Sequence, residues 1–322
     1  MSAAAGAPPH ALLRPGIALP LLLVAVIWGS TWIVITGQIG DYPASWSVAW
    51  RFLIATPAMF AVALLMGKGL KIGRAGHGLA LVLGLFQFCG NFNFVYRAEL
   101  HLTSGIVATM FSLMIVTNAI GGQLVLGQQV TRRFYLGGAV ALSGIALLLL
   151  HEARVAPPEG QVLLGIALAL GGILSASAAN IMQATRTGAV LPMASLLAWA
   201  MLYGTGMNMA IGWWEAGWPG LPSGEDYWLG TAWLALAGSV VTFPLYYTLI
   251  RKIGAGRAAY QNILVIIIAM VISTFLEGYR WSPLAAAGGV LALVGMAVAL
   301  RARSVPAPAV PEAARMARSP ST

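Results

Sequence analysis

Apolar residues fall in ten long blocks, at about 17 to 38, 44 to 66, 76 to 97, 102 to 125, 134 to 151, 161 to 184, 190 to 213, 227 to 250, 257 to 276 and 283 to 301, and most polar gaps between them are short. A helix rises about 1.5 Å per residue, so roughly 20 apolar residues cross a hydrocarbon layer about 30 Å thick. The pattern predicts an all-α integral membrane protein of ten transmembrane helices. The first block runs on through Trp28-Gly-Ser-Thr-Trp32 with no small-residue cleavage site, and is expected to stay as helix 1 rather than be removed as a signal peptide. Beyond Ala302 the chain is rich in Pro, Ala, Ser and Arg without apolar period, which predicts a disordered tail.

Composition excludes a soluble fold: 59% of the 322 residues are hydrophobic and 8% charged, against about 25% charged in soluble domains. One cysteine, Cys89, lies inside an apolar block, so no intramolecular disulfide is possible. The net charge of +9 is spread over short loops and not gathered in a patch, so it reads as topology and not as nucleic-acid binding. With the amino terminus in the cytoplasm, Arg14, Lys68, Lys71, Arg74, Arg132, Arg133, Arg186, Arg251, Lys252, Arg257, Arg301, Arg303, Arg315 and Arg318 fall inside. Only Arg97, Arg154 and Arg280 fall clearly outside. This asymmetry places both termini in the cytoplasm.

Comparison of residue i with residue i+151 reveals a repeat. Gly105, Gly127, Gly137, Gly138 and Gly144 meet Gly256, Gly278, Gly288, Gly289 and Gly295. Phe92 meets Phe243, Tyr96 meets Tyr247, Ala108 meets Ala259, and Thr131 meets Ser282, each of the last pair at a plausible helix N-cap. Five helices per repeat is an odd number, so the second copy must enter the membrane inverted. The predicted organisation is a cytoplasmic segment at 1–16, a first five-helix repeat at 17–151, an external linker at 152–160, a second repeat at 161–301 and the tail at 302–322. Two inverted repeats around a central cavity suit a secondary transporter working by alternating access.

The residues that carry these features resemble the drug/metabolite transporter superfamily in its ten-helix form with two EamA-type repeats. Trp28-Gly-Ser-Thr-Trp32 and Arg51-Phe-Leu-Ile-Ala55 resemble its helix 1 and helix 2 segments. Tyr96 to Gly105 and Tyr247 to Gly256 resemble the stretch that joins the third and fourth helices of each repeat. The family's frequent proline is missing from both fourth helices, and its Gly-Glu is Gly127-Gln128 in the first repeat. The resemblance implies export or exchange of small metabolites, amino acids among them, across a bacterial-type inner membrane.

The helix centres hold essentially no ionisable group, and Glu99, Glu277 and Arg97 are expected at the outer surface. That favours a neutral or zwitterionic cargo and gradient-driven movement over proton antiport. Arg51, about two turns into helix 2, is expected to snorkel outward or to pair with Asp41 or Glu99, with a contact to a substrate carboxylate as the sharper alternative. Uncharged polar and aromatic side chains at spacings of three and four share helix faces. They nominate a substrate site of Trp28, Gln87, Asn91, Tyr96, Thr109, Ser112, Asn180, Gln183, Trp199, Tyr203 and Tyr246. Aromatic walls with a few hydrogen-bonding groups suit a hydrophobic or aromatic amino acid. Trp213, Trp214, Trp218, Trp228 and Trp281 fit an interfacial belt. Pro57 and Pro244 each remove a helical hydrogen bond, and Pro244, beside Thr242, Tyr246 and Tyr247, is the expected hinge.

Four histidines scattered at or beyond helix ends do not converge on one depth, so no catalytic residue, metal or cofactor is expected. A lipid-acting membrane enzyme is the rival from outside the class. Within it, the rival is a carrier of nucleotide sugars or lipid-linked sugars. The expected partners are a small-molecule substrate and the bilayer, with a monomer expected and a dimer as the alternative.

Overall fold

A computed structural model describes residues 15–40, 42–127, 131–155, 161–253 and 261–301. Most of the amino-terminal segment, Asp41, most of the linker expected at 152–160 and the whole tail lie outside the described residues. The chain forms α1 (Pro15–Thr36), α2 (Ala44–Leu65), α3 (Gly73–Ala98), α4 (Ser104–Leu126), α5 (Arg132–Val155), α6 (Val162–Gln183) and α7 (Met193–Ala216). α8 follows in three parts, Glu225–Ala232, Trp233–Val241 and Thr242–Ile253, and then α9 (Gln261–Leu276) and α10 (Pro283–Arg301). Helices α1 to α6 and α8 are long and apolar enough to cross a membrane, while α9 and α10 are shorter apolar helices. α7 has 24 residues, its apolar run interrupted by Gly, Thr and Asn. One element was not foreseen, a short helix at Arg186–Val190.

Local chemistry sets the helix ends. Gly127 and Gly278 take left-handed backbone at φ 65° and 68° just past α4 and α9, a conformation glycine adopts without a Cβ clash. At the second, the Tyr279 N–H reaches back to the Ser273 carbonyl at 3.2 Å, closing the α9 terminus. Thr131 and Ser282 directly precede α5 and α10. Only Ser282 completes a side-chain cap, accepting from the Ala285 N–H at 3.1 Å.

Helix pairing shows the inverted symmetry. α1 packs on α8 and α9, as α6 packs on α3 and α4; α2 packs on α8 as α7 packs on α3; and α2–α7, α4–α9 and α5–α10 each pair with themselves under the exchange. Two contacts lie on the two-fold axis. The first joins Thr56 and Thr205, whose hydroxyls are 3.0 Å apart. They are equivalent, because 205 − 56 = 149 is also the offset of the prolines before the two helices, 192 − 43. The second is the α5–α10 crossing. A Cβ on Gly137 would overlap the backbone of Ala299 and Gly295, one on Gly144 that of Ala292 and Gly288, and one on Gly295 that of Ala141 and Gly137. These glycines let two backbones touch, where van der Waals contact is the main attraction between helices in lipid.

The protein is therefore an all-helical integral membrane protein of ten helices in two inverted repeats. The register of 151 holds at Gly127 and Gly278, shortens to 149 between α2 and α7, and is 162 − 15 = 147 at the starts of α1 and α6. Each of the two hydrophobic cores is shared by both repeats. One draws chiefly on α1, α2, α3, α7 and α8, the other on α4, α5, α6, α9 and α10. Trp32 and Phe111 pack against both. Trp213, Trp214, Trp218 and Trp281 are exposed, whereas Trp228, expected in the same belt, is half-buried and donates to the Pro222 carbonyl at 2.8 Å. Alternation of the helices leaves one end of the bundle acidic, with Glu99, Glu215, Glu225, Asp226 and Glu277, and the other basic, with Lys68, Lys71, Arg74, Arg132, Arg133 and Arg186.

Candidate functional site

The middle of the bundle is built around two stretches of π-helix, Gly84–Asn91 in α3 and Trp233–Val241 in α8, at matching places in the two repeats. A π turn disrupts the ordinary i to i−4 ladder, and such turns often mark functional sites. Side chains from the other repeat bind carbonyls in these stretches. Ser175 of α6 donates to the Phe86 carbonyl at 2.7 Å and Asn208 of α7 to that of Phe88 at 2.9 Å. Across the two-fold axis, Trp28 of α1 donates through Nε1 to the Gly238 carbonyl at 3.2 Å. Pro244 follows the α8 stretch closely, but α3 has the same distortion without a proline. The π geometry therefore belongs to the repeat and not to Pro244.

Gly238 leaves room for Thr31, whose Cγ2 would stand 2.9 Å from a Cβ there, and lies beside Arg51, whose Nη2 would be at contact distance, 3.4 Å. Arg51 is 2% exposed. Its Nε and Nη2 donate to Ser239 Oγ at 3.3 and 3.1 Å, and its Cζ lies 4.3 Å from the centre of the Phe92 ring. Nη1 donates to no partner among the described residues. This corrects the expectation that Arg51 snorkels outward: the π stretch brings Ser239 to it, and the Phe92 face accommodates a desolvated cation. No ion pair to Glu99 forms among the described residues.

The nominated residues separate into three groups by depth. Near the middle, the Trp28 ring meets Tyr246 at 5.1 Å and Phe243 at 5.6 Å between centroids. Gln87, Asn91 and Ser112 are buried there on α3 and α4, and neither Asn91 Oδ1 nor Ser112 Oγ has a hydrogen-bond partner among the described residues. Trp32 Nε1 is likewise without a partner, and its ring packs 5.1 Å from Phe111. Trp32 and Phe111 were not nominated, although Trp32 lies four residues after Trp28 and so on the same face. Towards the basic end, Trp199 and Tyr203 enclose His77, whose Nδ1 is 2.9 Å from the Tyr203 hydroxyl, and Trp199 Nε1 donates to the Leu70 carbonyl at 2.9 Å. Asn180, near the end of α6, points Nδ2 at Met114 Sδ at 3.5 Å, and Gln183 ends that helix. Thr109 donates to its own helix at the Gly105 carbonyl, 2.8 Å away.

Tyr96 belongs to the acidic end, where a polar network closes the bundle. Its hydroxyl donates to Gln38 Oε1 at 3.4 Å, and Gln38 Nε2 donates to Thr231 Oγ1 at 2.7 Å and to the Tyr227 carbonyl at 3.0 Å. The Tyr227 hydroxyl donates to Ser47 Oγ at 2.7 Å, and Ser47 donates to the Gln38 carbonyl at 2.8 Å. Nearby, Glu215 holds Arg97 at 2.6 Å and accepts from Ser45 at 2.7 Å. Glu99 is enclosed at 7% exposure and not on the outer surface as expected. Burial, then the neighbouring Glu277 carboxylate, hold its acid well above the usual carboxylate range, with Arg51 acting in the opposite sense.

The model of the EamA-like transporter family matches this chain twice, over residues 16–150 and 163–301. The chain is similar to the protein PagO of Salmonella typhimurium, 22% identical over 293 residues that cover 91% of this chain and 95% of PagO. It is also similar to YedA of Escherichia coli, an uncharacterized inner membrane transporter, at 26% identity with 80% and 82% covered. A solved crystal structure superposes with a TM-score of 0.64 at 18% identity, over 89% of this chain and 98% of that one, a likeness of fold.

Proposed function

Since the chain belongs to the EamA-like transporter family and is thus a multi-pass membrane transporter of the drug/metabolite superfamily, we propose that it exports or exchanges hydrophobic or aromatic amino acids by alternating access in a bacterial-type inner membrane. Arg51 carries this reading. It is a buried cation whose guanidinium is held by Ser239 and acted on by the Tyr96 hydroxyl, and its Nη1 donates to no partner among the described residues. A guanidinium there suits a carboxylate, through a charge-assisted hydrogen bond in a water-poor setting. Phe92 lies against it; elsewhere in the bundle the Trp28, Phe243 and Tyr246 cluster offers aromatic surface, and Asn91, Ser112 and Trp32 offer single polar atoms for an amino group and for orientation. A cargo with a carboxylate, a compact polar head and an apolar body fits this set.

Purified protein in liposomes preloaded with unlabelled phenylalanine or leucine is expected to take up the labelled amino acid by saturable counterflow. Failure to exchange any amino acid would remove the substrate reading and leave the carrier standing.

A further inference from the structure

We propose that Glu99 is a proton-binding site whose occupancy closes the acidic end of the carrier. This goes beyond the substrate reading and does not depend on it. Glu99 follows α3 directly, is 7% exposed, and both of its carboxyl oxygens are buried without a hydrogen-bond partner among the described residues. An ionised carboxylate in that position has lost its water and gained no donor, whereas the neutral acid has far less to lose.

The groups that face it come from three places. From the turn after α9 comes Glu277, whose two oxygens accept from the Ser104 N–H at 3.1 Å and from the Ser104 hydroxyl at 2.6 Å. That anchors a second carboxylate on the first turn of α4, in the field of Glu99. From α2 comes Arg51, which is turned to Ser239 and Phe92 and makes no ion pair with Glu99. From the last turn of α3 comes the Tyr96 phenol, which donates to Gln38 and also interacts with the Arg51 guanidinium. Two carboxylates in one another's field are disfavoured when both are charged, and Glu277 is the one that is hydrogen-bonded. The proton therefore belongs on Glu99.

Opening of the acidic end separates these groups and admits water, which returns Glu99 to the ordinary carboxylate range. The acid then loses its proton to the solution on that side, and closure takes one back. A group that binds a proton more tightly in one of two states biases the equilibrium towards that state when protons are abundant. Low pH favours the closed form, and that preference is lost as pH rises through the closed-state pKa of Glu99.

Infrared titration of the purified carrier reads the site without any substrate. A protonated-carboxyl band absent from Glu99→Gln is expected, with a midpoint well above the ordinary glutamate range. Glu277→Gln, which leaves Glu99 in place, is expected to lower that midpoint, and Arg51→Gln to raise it. Gating is read in a Cys89→Ala background from the labelling of Ser47→Cys by a membrane-impermeant thiol reagent, normalised to the same cysteine in unfolded protein so that thiolate fraction cancels. Labelling is expected to rise with pH, and to stay slow at every pH when Glu99→Gln is added. Absence of the band, a midpoint in the ordinary range, or labelling whose pH dependence is unchanged by Glu99→Gln would overturn the assignment. Loss of amino-acid counterflow with these signals intact would instead remove only the substrate reading.

Discussion

At the scale of single residues, Arg51 decides most. A hydrogen bond to a charged group contributes about 1.5–3 kcal/mol, so Arg51→Gln is expected to weaken the half-saturation for a carboxylate-bearing substrate by roughly ten- to a hundredfold. Arg51→Lys keeps the charge but not the planar fork that reaches Ser239 twice, and is expected to recover only part of the loss. Counterflow by the two variants, compared at matched protein content, checks both. Trp28→Phe retains the ring contacts to Phe243 and Tyr246 but leaves the Gly238 carbonyl without its donor, so it is expected to cost about 1 kcal/mol in thermal stability. The sequence showed where Arg51 stands along helix 2, but not what faces it. Its partners, Ser239 and Phe92, lie on other helices, and no spacing within α2 reports them. Glu99 was missed for a related reason. A residue at a helix end can face water or the bundle, and only the neighbouring Glu277 turn and α2 decide which.

At the scale of helices, the apolar blocks marked nearly every boundary to within a few residues, because a membrane span is defined by length and hydrophobicity alone. The π stretches were invisible to the same reading. A widened turn shifts the helix face by a fraction of a turn inside a segment with only a few polar positions, such as Gln87 and Asn91 in α3, too few for a break in periodicity to show. The glycines were visible as matched positions, yet their purpose appears only in the crossing of α5 and α10. Gly144→Ala and Gly288→Ala each push a methyl group into facing backbone. Either is expected to lower stability by about 1–3 kcal/mol, as overpacking of a tight contact does, and melting in detergent by intrinsic fluorescence measures it. Gly206, with open space around its Cβ position, serves as the control expected to change little.

At the scale of the whole molecule, neither repeat owns a core. The two clusters are each assembled from helices of both halves, joined by Trp32 and Phe111. Residues 1–157 and 158–322 expressed separately are therefore expected to be unstable alone, and to recover a folded carrier when coexpressed. Copurification through a tag on one half reads this directly, and recovery of either half as a monodisperse protein by itself would contradict it. The inverted arrangement followed from the odd number of helices and the repeated glycines. Which nominated side chains share the middle did not. Trp199 and Tyr203 meet His77 towards the basic end, and Tyr96 joins the seal at the acidic end, because helical spacing fixes a face and leaves depth to the packing of other helices.

The glycine crossing has a further meaning. Gly137 faces Gly295 and Gly144 faces Gly288, while 288 − 137 and 295 − 144 both equal 151. Each glycine thus meets the counterpart of its own neighbour seven residues away, once on either side of the axis. That is the geometry of an isologous interface, in which one patch binds a copy of itself. The chain carries within it the contact surface of a symmetric antiparallel dimer. A single five-helix unit bearing this patch would need no new surface to find a second copy inserted the other way up.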